Sequence, residues 1–237
     1  MKVRIKFAKS GAMRFIGHLD VMRFFQKAIR RAGIDVAYSE GFSPHQIMSF
    51  AAPLGVGLCS NGEYMDIEVK SHAGSADMKQ RLKKAMVEGI EILNITMLED
   101  GAKNAMASVA AAEYSVKFRE GYAPDFDWPG QLISFYQMPS IPVKKKTKKS
   151  ELEMDLKPFI YQLSVSGTEK DATVHMLVNA SSSGNIKPAL VMETFLKANE
   201  KELSEFALEI TREETFTDAE KDGKRCFIPL DAVGTEF

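Results

Sequence analysis

The sequence predicts an α+β fold with antiparallel sheets, because short alternating segments and longer amphipathic segments follow one another along the chain. Val3, Ile5 and Phe7 alternate with polar residues, which is typical of a half-buried strand. Residues 18–32 predict a helix that ends near Gly33. Its apolar face consists of residues three or four positions apart: Leu19, Met22, Phe25, Ile29 and Ala32.

The remaining elements repeat this pattern. In the first half we expect strands at 34–38, 47–52, 63–69 and 90–98, and a helix at 75–88. In the second half we expect strands at 114–118, 141–146, 159–165, 173–179 and 206–211, and helices at 127–136 and 188–198. Asp127 is suited to cap its helix, with Pro129 in the first turn. This order predicts two tandem ferredoxin-like (split βαβ) domains, at 1–105 and 106–237.

Composition excludes several classes of protein. Of 237 residues, 45% are hydrophobic and 27% charged, which is typical of a globular protein. Cys59 and Cys226 are too few for a disulfide scaffold, an iron–sulfur cluster or a four-cysteine zinc site. No apolar run approaches the 18 or so residues that cross a bilayer. We therefore expect a cytoplasmic protein that has no membrane partner.

Charge is unevenly distributed although the net charge is only −1. Residues 1–50 carry nine basic and three acidic side chains, whereas 193–236 is acidic. Such segregation favours a polyanion-binding surface near the N-terminus over a merely solvated face. For a second basic run, 144–149, we favour the simpler interpretation that lysines protect a strand edge from aggregation.

Residues 14–45 contain most of the side chains that could bind a ligand. Arg23, Lys27 and Arg30 are spaced to form one basic stripe on the predicted helix. Tyr38 and Phe42 lie in a loop that contains Gly41 and Pro44, and could stack on bases. The predicted nucleic-acid-binding set is Arg14, Arg23, Lys27, Arg30, Arg31, Tyr38 and Phe42. For each aromatic residue taken alone, packing beneath the helix is the simpler interpretation.

The histidines are weaker candidates. His18 and His45 could orient a ligand or act in acid–base catalysis, or could simply serve as a helix-start and a loop residue. No histidine has a recognised metal-ligand spacing, and the chain lacks a Walker-type loop or a nucleotide-binding glycine motif followed by a helix. We therefore expect neither a metal nor another cofactor.

Several segments together resemble a bacterial family of unknown function known as radical-SAM-linked proteins. The resemblance extends over nearly the whole chain and is tightest over 14–70. It is carried by the segments 14–20, 30–33, 38–45, 53–55, 62–64, 146–148 with Asp155, and 210–212. It implies a radical-SAM protein as partner and a context of ribosome or RNA metabolism, but it assigns no catalytic residues. The chain cannot itself be the radical-SAM enzyme, because it lacks three closely spaced thiolates.

Three functional hypotheses follow. The first is an RNA-binding or substrate-presenting module, itself non-catalytic, that serves the radical-SAM partner. The second is a metal-independent endoribonuclease, in which His18 or His45 is the acid–base group and Arg14 stabilises the developing charge; CRISPR RNA-processing endoribonucleases provide a fold-level analogy. The third is an adaptor whose 14–45 surface binds only protein. The oligomeric state stays open.

Overall fold

Strands and helices alternate along the chain in the computed structural model, which describes residues 1–146, 151–168 and 171–237. The strands are β1 (Lys2–Lys9), β2 (Met48–Phe50), β3 (Cys59–Glu68), β4 (Ile90–Met97), β5 (Ala111–Phe118), β6 (Pro142–Lys146), β7 (Glu151–Asp155), β8 (Ile160–Ser166), β9 (Thr173–Asn179), β10 (Leu208–Lys221) and β11 (Lys224–Pro229). The helices are α1 (His18–Arg31), α2 (Ser75–Ala85), α3 (Ala105–Ser108), α4 (Trp128–Gln137) and α5 (Pro188–Ala198). The α+β class and the mostly antiparallel pairing agree with the prediction; the tandem ferredoxin-like arrangement stays a prediction.

The chain forms two compact units, 1–110 with 212–237, and 111–211. This division differs from the expected domains 1–105 and 106–237, because the last 26 residues belong to the first unit. There, Thr215 Oγ1 donates to Gly62 O over 2.8 Å, and Arg4 Nη1 donates to Leu230 O over 3.0 Å. Contacts this far apart in sequence cannot be inferred from local pattern.

In the first unit, β1 pairs antiparallel with both β3 and β4, and β2 pairs antiparallel with β3. The core lies between these strands and the helices α1 and α2, and includes Phe7, Phe25, Met65 and Leu82. Only isolated bridges at Val36 and Tyr38 occupy the predicted strand 34–38. The unit also contains the β10–β11 hairpin, which sequence analysis did not predict.

Helix α1 buries a different face from the one expected at its start. Val21, Phe25, Ala28 and Ile29 are buried, whereas Leu19 is 61% exposed. At about 100° per residue, Leu19 lies roughly 120° around the helix from Phe25, and it shares a face with Arg23 and Arg30. Leu19 is three residues from Met22, and this spacing led to its incorrect assignment to the apolar face.

In the second unit, β9 pairs antiparallel with β5 and β8, and β10 begins here before it continues into the first unit. Asp127 caps α4 as predicted, because its Oδ1 accepts from Gly130 N over 3.0 Å. Strand β6 pairs with β7, which was not predicted. Of the lysine run 144–149, residues 147–149 and the side chains of 144–146 lie outside the described part of the chain.

Candidate functional site

One face of α1 carries the cationic side chains that the sequence singled out. Arg23, Lys27 and Arg30 are exposed. Arg23 has only a long contact with Asp20, 3.5 Å between Nη1 and Oδ1, and both side chains are largely exposed. Among the residues described, neither Lys27 nor Arg30 forms an ion pair. Pairing this weak leaves the positive charge of the helix face available to an anion.

Arg31 and Arg14 have local partners. The Arg31 Nη2 donates to Ala85 O over 3.0 Å, at the end of α2, where a cation complements the helix dipole. The Arg14 guanidinium lies 4.8 Å from the centroid of the Phe15 ring, in a 3₁₀ helix (Gly11–Phe15) that precedes α1. Phe15 is itself 61% exposed, whereas Arg14 is half-buried, so the ring is the solvent-facing member of this cation–aromatic pair.

The loop 38–46 is attached to the middle of α1. Gln46 is buried, and its Nε2 donates to Gln26 O over 3.1 Å. Tyr38 and Gln46 pair as an antiparallel bridge, which closes the loop. Phe42 at its tip is fully exposed, and Tyr38 is 44% exposed. The structure thus joins the aromatic loop to the cationic helix; we call the two together the α1–loop surface.

The two histidines have different surroundings. His45 is exposed, and its Nδ1 lies 2.9 Å from Ser39 Oγ within the loop. His18 is half-buried at the first position of α1, and its ring meets Phe50 edge-on, with the centroids 5.1 Å apart. Nothing in the described contacts joins the two rings.

His18 also lines a small cavity, which we call the α1 cavity, under the start of the helix. Its volume is about 10 Å³. The other lining residues are Phe7, Lys9, Val21, Phe50, Pro53, Leu54 and Glu63. Lys9 and Glu63 are only 2% and 6% exposed. Burial lowers the pKa of Lys9, and the negative charge of Glu63 opposes that shift.

Lys9, Glu63 and Arg212 are functional candidates that were not predicted as site residues from the sequence. Arg212 is buried, and its Nε lies 3.5 Å from Glu63 Oε1. The sequence does contain a pattern that could have identified two of them. Lys9 continues the odd-numbered apolar series of β1, and Glu63 precedes Met65 and Ile67 at the same two-residue spacing. A charged residue on the apolar side of a strand is a candidate for a buried polar site. Arg212 carried no comparable local signal.

Other features contain none of the predicted site residues. A cavity of about 1070 Å³ in the second unit lies along α5 and the end of α4, and Phe135, Ile141, Leu190 and Thr194 are among its lining residues.

Over the described ranges, no three His, Cys, Asp or Glu side chains are grouped to hold a metal ion. Likewise, none of the helices described has the length and apolar character that crossing a membrane requires.

Comparison with solved structures finds a likeness in fold. The chain is similar to one in a structure titled "Crystal Structure of a Cbf5-Nop10-Gar1 Complex", with a TM-score of 0.50 and 11% identity. The match covers 90% of this chain and 48% of that chain, so this protein spans about half the length of the relative. No curated protein matches the sequence.

A family model matches residues 2–188, which is most of the chain. Its description places the family in bacteria, as the resemblance implied, and does not mention a radical-SAM protein. That partner therefore stays a prediction. The chain belongs to the family described as "Uncharacterized protein conserved in bacteria (DUF2344)".

Proposed function

We propose that this protein is a nucleic-acid-binding module that holds a single strand, which we expect to be RNA, on the α1–loop surface. The observation that carries the proposal is the attachment of the loop to the helix. The hydrogen bond from Gln46 to Gln26 attaches the loop that carries the exposed Phe42 and Tyr38 to α1, the helix that carries the cationic side chains. Cations that neutralise phosphates beside aromatic rings that stack on bases are what single-strand binding requires.

The spacing of the charges fits a chain of phosphates. A helix rises about 1.5 Å per residue, so Arg23 and Lys27 are about 6 Å apart along the axis, and Lys27 and Arg30 about 4.5 Å. Such steps suit successive phosphates of an extended strand. Leu19 on the same face, and Phe15 just before the helix, extend the surface with apolar area.

Strand order supports the tandem ferredoxin-like architecture as part of this proposal. The first unit has the order β4-β1-β3-β2, with α1 and α2 as its connections. In the second, β10-β5-β9-β8 follows the same scheme, with α4 and α5 as its helices. Both orders are those of a split βαβ repeat. The proposed binding surface would then lie on the first crossover helix of the first repeat.

The proposal is tested by fluorescence anisotropy with a labelled single-stranded RNA of about 12 nucleotides, a length within the range of single-strand sites. We expect binding that weakens between about 50 and 200 mM salt. Arg23→Ala, Lys27→Ala and Arg30→Ala should each weaken binding, and each should lower the slope of log K against log salt by about 0.7, the value for one single-strand phosphate.

Lys224→Ala is the matched control, because Lys224 is an exposed lysine on the β10–β11 hairpin. It should leave affinity and salt slope unchanged. Absence of binding at low salt would reject the proposal, and so would equal effects of the control and the three α1 variants.

A ribonuclease activity is the second candidate, favoured by the position of His18 in one cavity with Lys9 and Glu63. Incubation of the protein with single-stranded RNA in the presence of a chelator tests it. Cleavage that His18→Ala abolishes and His45→Ala leaves intact would support it. Intact RNA after prolonged incubation, together with binding, would support a non-catalytic module that presents RNA to a radical-SAM protein or another partner.

A further inference from the structure

The α1 cavity has the size of a single water molecule or hydroxyl group. Its volume of about 10 Å³ corresponds to roughly one water molecule. The half-buried His18 and the exposed Pro53 form part of its wall, so the cavity can be approached from solvent beside the start of α1. The exposed Phe15 and Leu19 lie one to three residues from His18 in sequence, which places this approach at one end of the α1–loop surface.

The polar groups of the cavity have unused hydrogen-bonding capacity. Glu63 Oε1 is buried and accepts no hydrogen bond from any residue described, although Arg212 Nε lies 3.5 Å away. Lys9 Nζ carries three N–H groups, of which Ile16 O takes one over 3.1 Å. Neither ring nitrogen of His18 is hydrogen-bonded within the described part of the chain. The Arg212 guanidinium balances the charge of Glu63, but a buried oxygen that accepts no hydrogen bond is costly, and this favours a polar group that enters from outside.

We propose that the α1 cavity receives a ribose 2′-hydroxyl of the bound strand, and that it makes the α1–loop surface selective for RNA over DNA. This inference rests on the proposed function and deepens it by naming the sugar. The hydroxyl donates a hydrogen bond to Glu63 Oε1 and accepts a hydrogen bond from Lys9 Nζ or from the His18 ring. A 2′-hydroxyl is the one sugar group that both donates and accepts and is absent from DNA.

Other parts of a nucleotide fit the cavity less well. A phosphate is too large, and it would lie against the carboxylate of Glu63. A base is larger still, and it would require displacement of Pro53 and Leu54 from the wall. Water fits, and it is the occupant that a hydroxyl would replace while keeping the same hydrogen bonds.

The first test uses the unmodified protein with four single strands of one sequence: RNA, DNA, 2′-fluoro RNA and 2′-O-methyl RNA. A hydrogen bond to a charged group predicts that RNA binds about tenfold or more tightly than DNA. The 2′-fluoro strand keeps the RNA sugar shape but cannot donate, and the 2′-O-methyl strand neither donates nor fits. Both should therefore bind about as weakly as DNA.

The second test assigns the selectivity to the cavity. Glu63→Gln and Lys9→Met should each reduce the ratio of RNA to DNA affinity by about fivefold or more. Arg23→Ala, which is outside the cavity, should weaken RNA and DNA equally and leave the ratio unchanged. Thermal unfolding identifies a variant that fails to fold, and the first test needs no variant.

The outcomes separate the two proposals. No binding of any strand rejects the proposed function. Equal binding of RNA and DNA, or binding of 2′-fluoro RNA as tight as that of RNA, overturns the hydroxyl site and leaves the nucleic-acid surface intact. Selectivity that survives in a folded Glu63→Gln protein and a folded Lys9→Met protein also overturns it.

Discussion

Arg4 and Asp66 lie opposite each other on β1 and β3 and form a two-point ion pair that is almost completely shielded from solvent. Arg4 Nε lies 2.8 Å from Asp66 Oδ1, and Arg4 Nη2 lies 3.0 Å from Asp66 Oδ2. Asp66 Oδ2 also accepts from Ala105 N over 2.6 Å, while Arg4 Nη1 donates to Leu230 O over 3.0 Å. One buried pair thus joins β1, β3, α3 and the C-terminal segment of the first unit.

Removing either partner of this pair should strongly destabilise the protein. Arg4→Met leaves the Asp66 carboxylate without its cation, and Asp66→Asn leaves the Arg4 guanidinium without its anion. A buried charge without its counter-charge costs about 3–5 kcal/mol of unfolding free energy. Urea denaturation measures the change. Arg225→Met is the control, because the Arg225–Asp218 pair is largely exposed, and it should change stability by less than about 1 kcal/mol. Similar losses for buried and exposed pairs would contradict this account.

Tyr64 should give the stability a characteristic alkaline pH dependence. Burial, together with the carboxylates of Glu214 and Asp231, raises the pKa of Tyr64 above its usual value of about 10. Its hydroxyl lies 2.7 Å from Glu214 Oε1 and 2.9 Å from Asp231 Oδ1. The folded protein keeps a proton that the unfolded chain loses above about pH 10, so this contribution is present below that pH and is lost as the pH rises.

Urea denaturation between about pH 9 and 11 should therefore show wild-type stability falling more steeply than that of Tyr64→Phe, by up to about 1.4 kcal/mol per pH unit. Tyrosinate absorbance provides an independent measurement. The difference in absorbance between wild type and Tyr64→Phe should emerge only as the protein unfolds. A difference that develops in the folded state near pH 10 would contradict the raised pKa.

Phe42 should contribute to ligand binding without contributing to stability. Its side chain is fully exposed at the tip of the loop, so Phe42→Ala should leave the unfolding free energy within about 0.5 kcal/mol of wild type. Stacking on a base is worth about 1–3 kcal/mol, and RNA affinity should fall by a corresponding factor. Phe206→Ala, which removes an exposed aromatic ring from the second unit, is the control for anisotropy titrations. Equal affinity losses in the two variants would count against a specific α1–loop surface.

Gly62 should be intolerant of a side chain for a steric reason. A Cβ there would lie 2.6 Å from Glu214 Cα, and a backbone atom cannot move aside as a flexible side chain can. Gly62→Ala should cost about 1–3 kcal/mol through overpacking between β3 and β10. At Gly55 the nearest atom is Leu58 Cδ1 at 3.7 Å, so Gly55→Ala serves as the control. Thermal unfolding of both variants distinguishes the steric effect from a general intolerance of loop and strand glycines.

Local pattern predicted much of the element order because burial imposes a period on the sequence. The strand at 173–179 and the helix at 188–198 were predicted with the observed bounds, and the Asp127 cap was also found. The β10–β11 hairpin was missed, since its residues are mostly half-buried or exposed and lack a clear alternation. Leu19 was misassigned because a residue in the first turn of a helix can lie outside the buried face even at the expected spacing.

The amino-acid order alone established the α+β class, the cationic face of α1 and the aromatic loop, because each depends on neighbours within a few residues. Tertiary structure decided which distant groups meet. In the folded protein, Gln46 attaches the loop to the helix, and Lys9, Glu63 and His18 line one cavity. The chain after residue 211 belongs to the first unit. These relationships depend on hydrogen bonds and packing between residues far apart in the chain, and the local hydrophobic pattern of the sequence does not predict them.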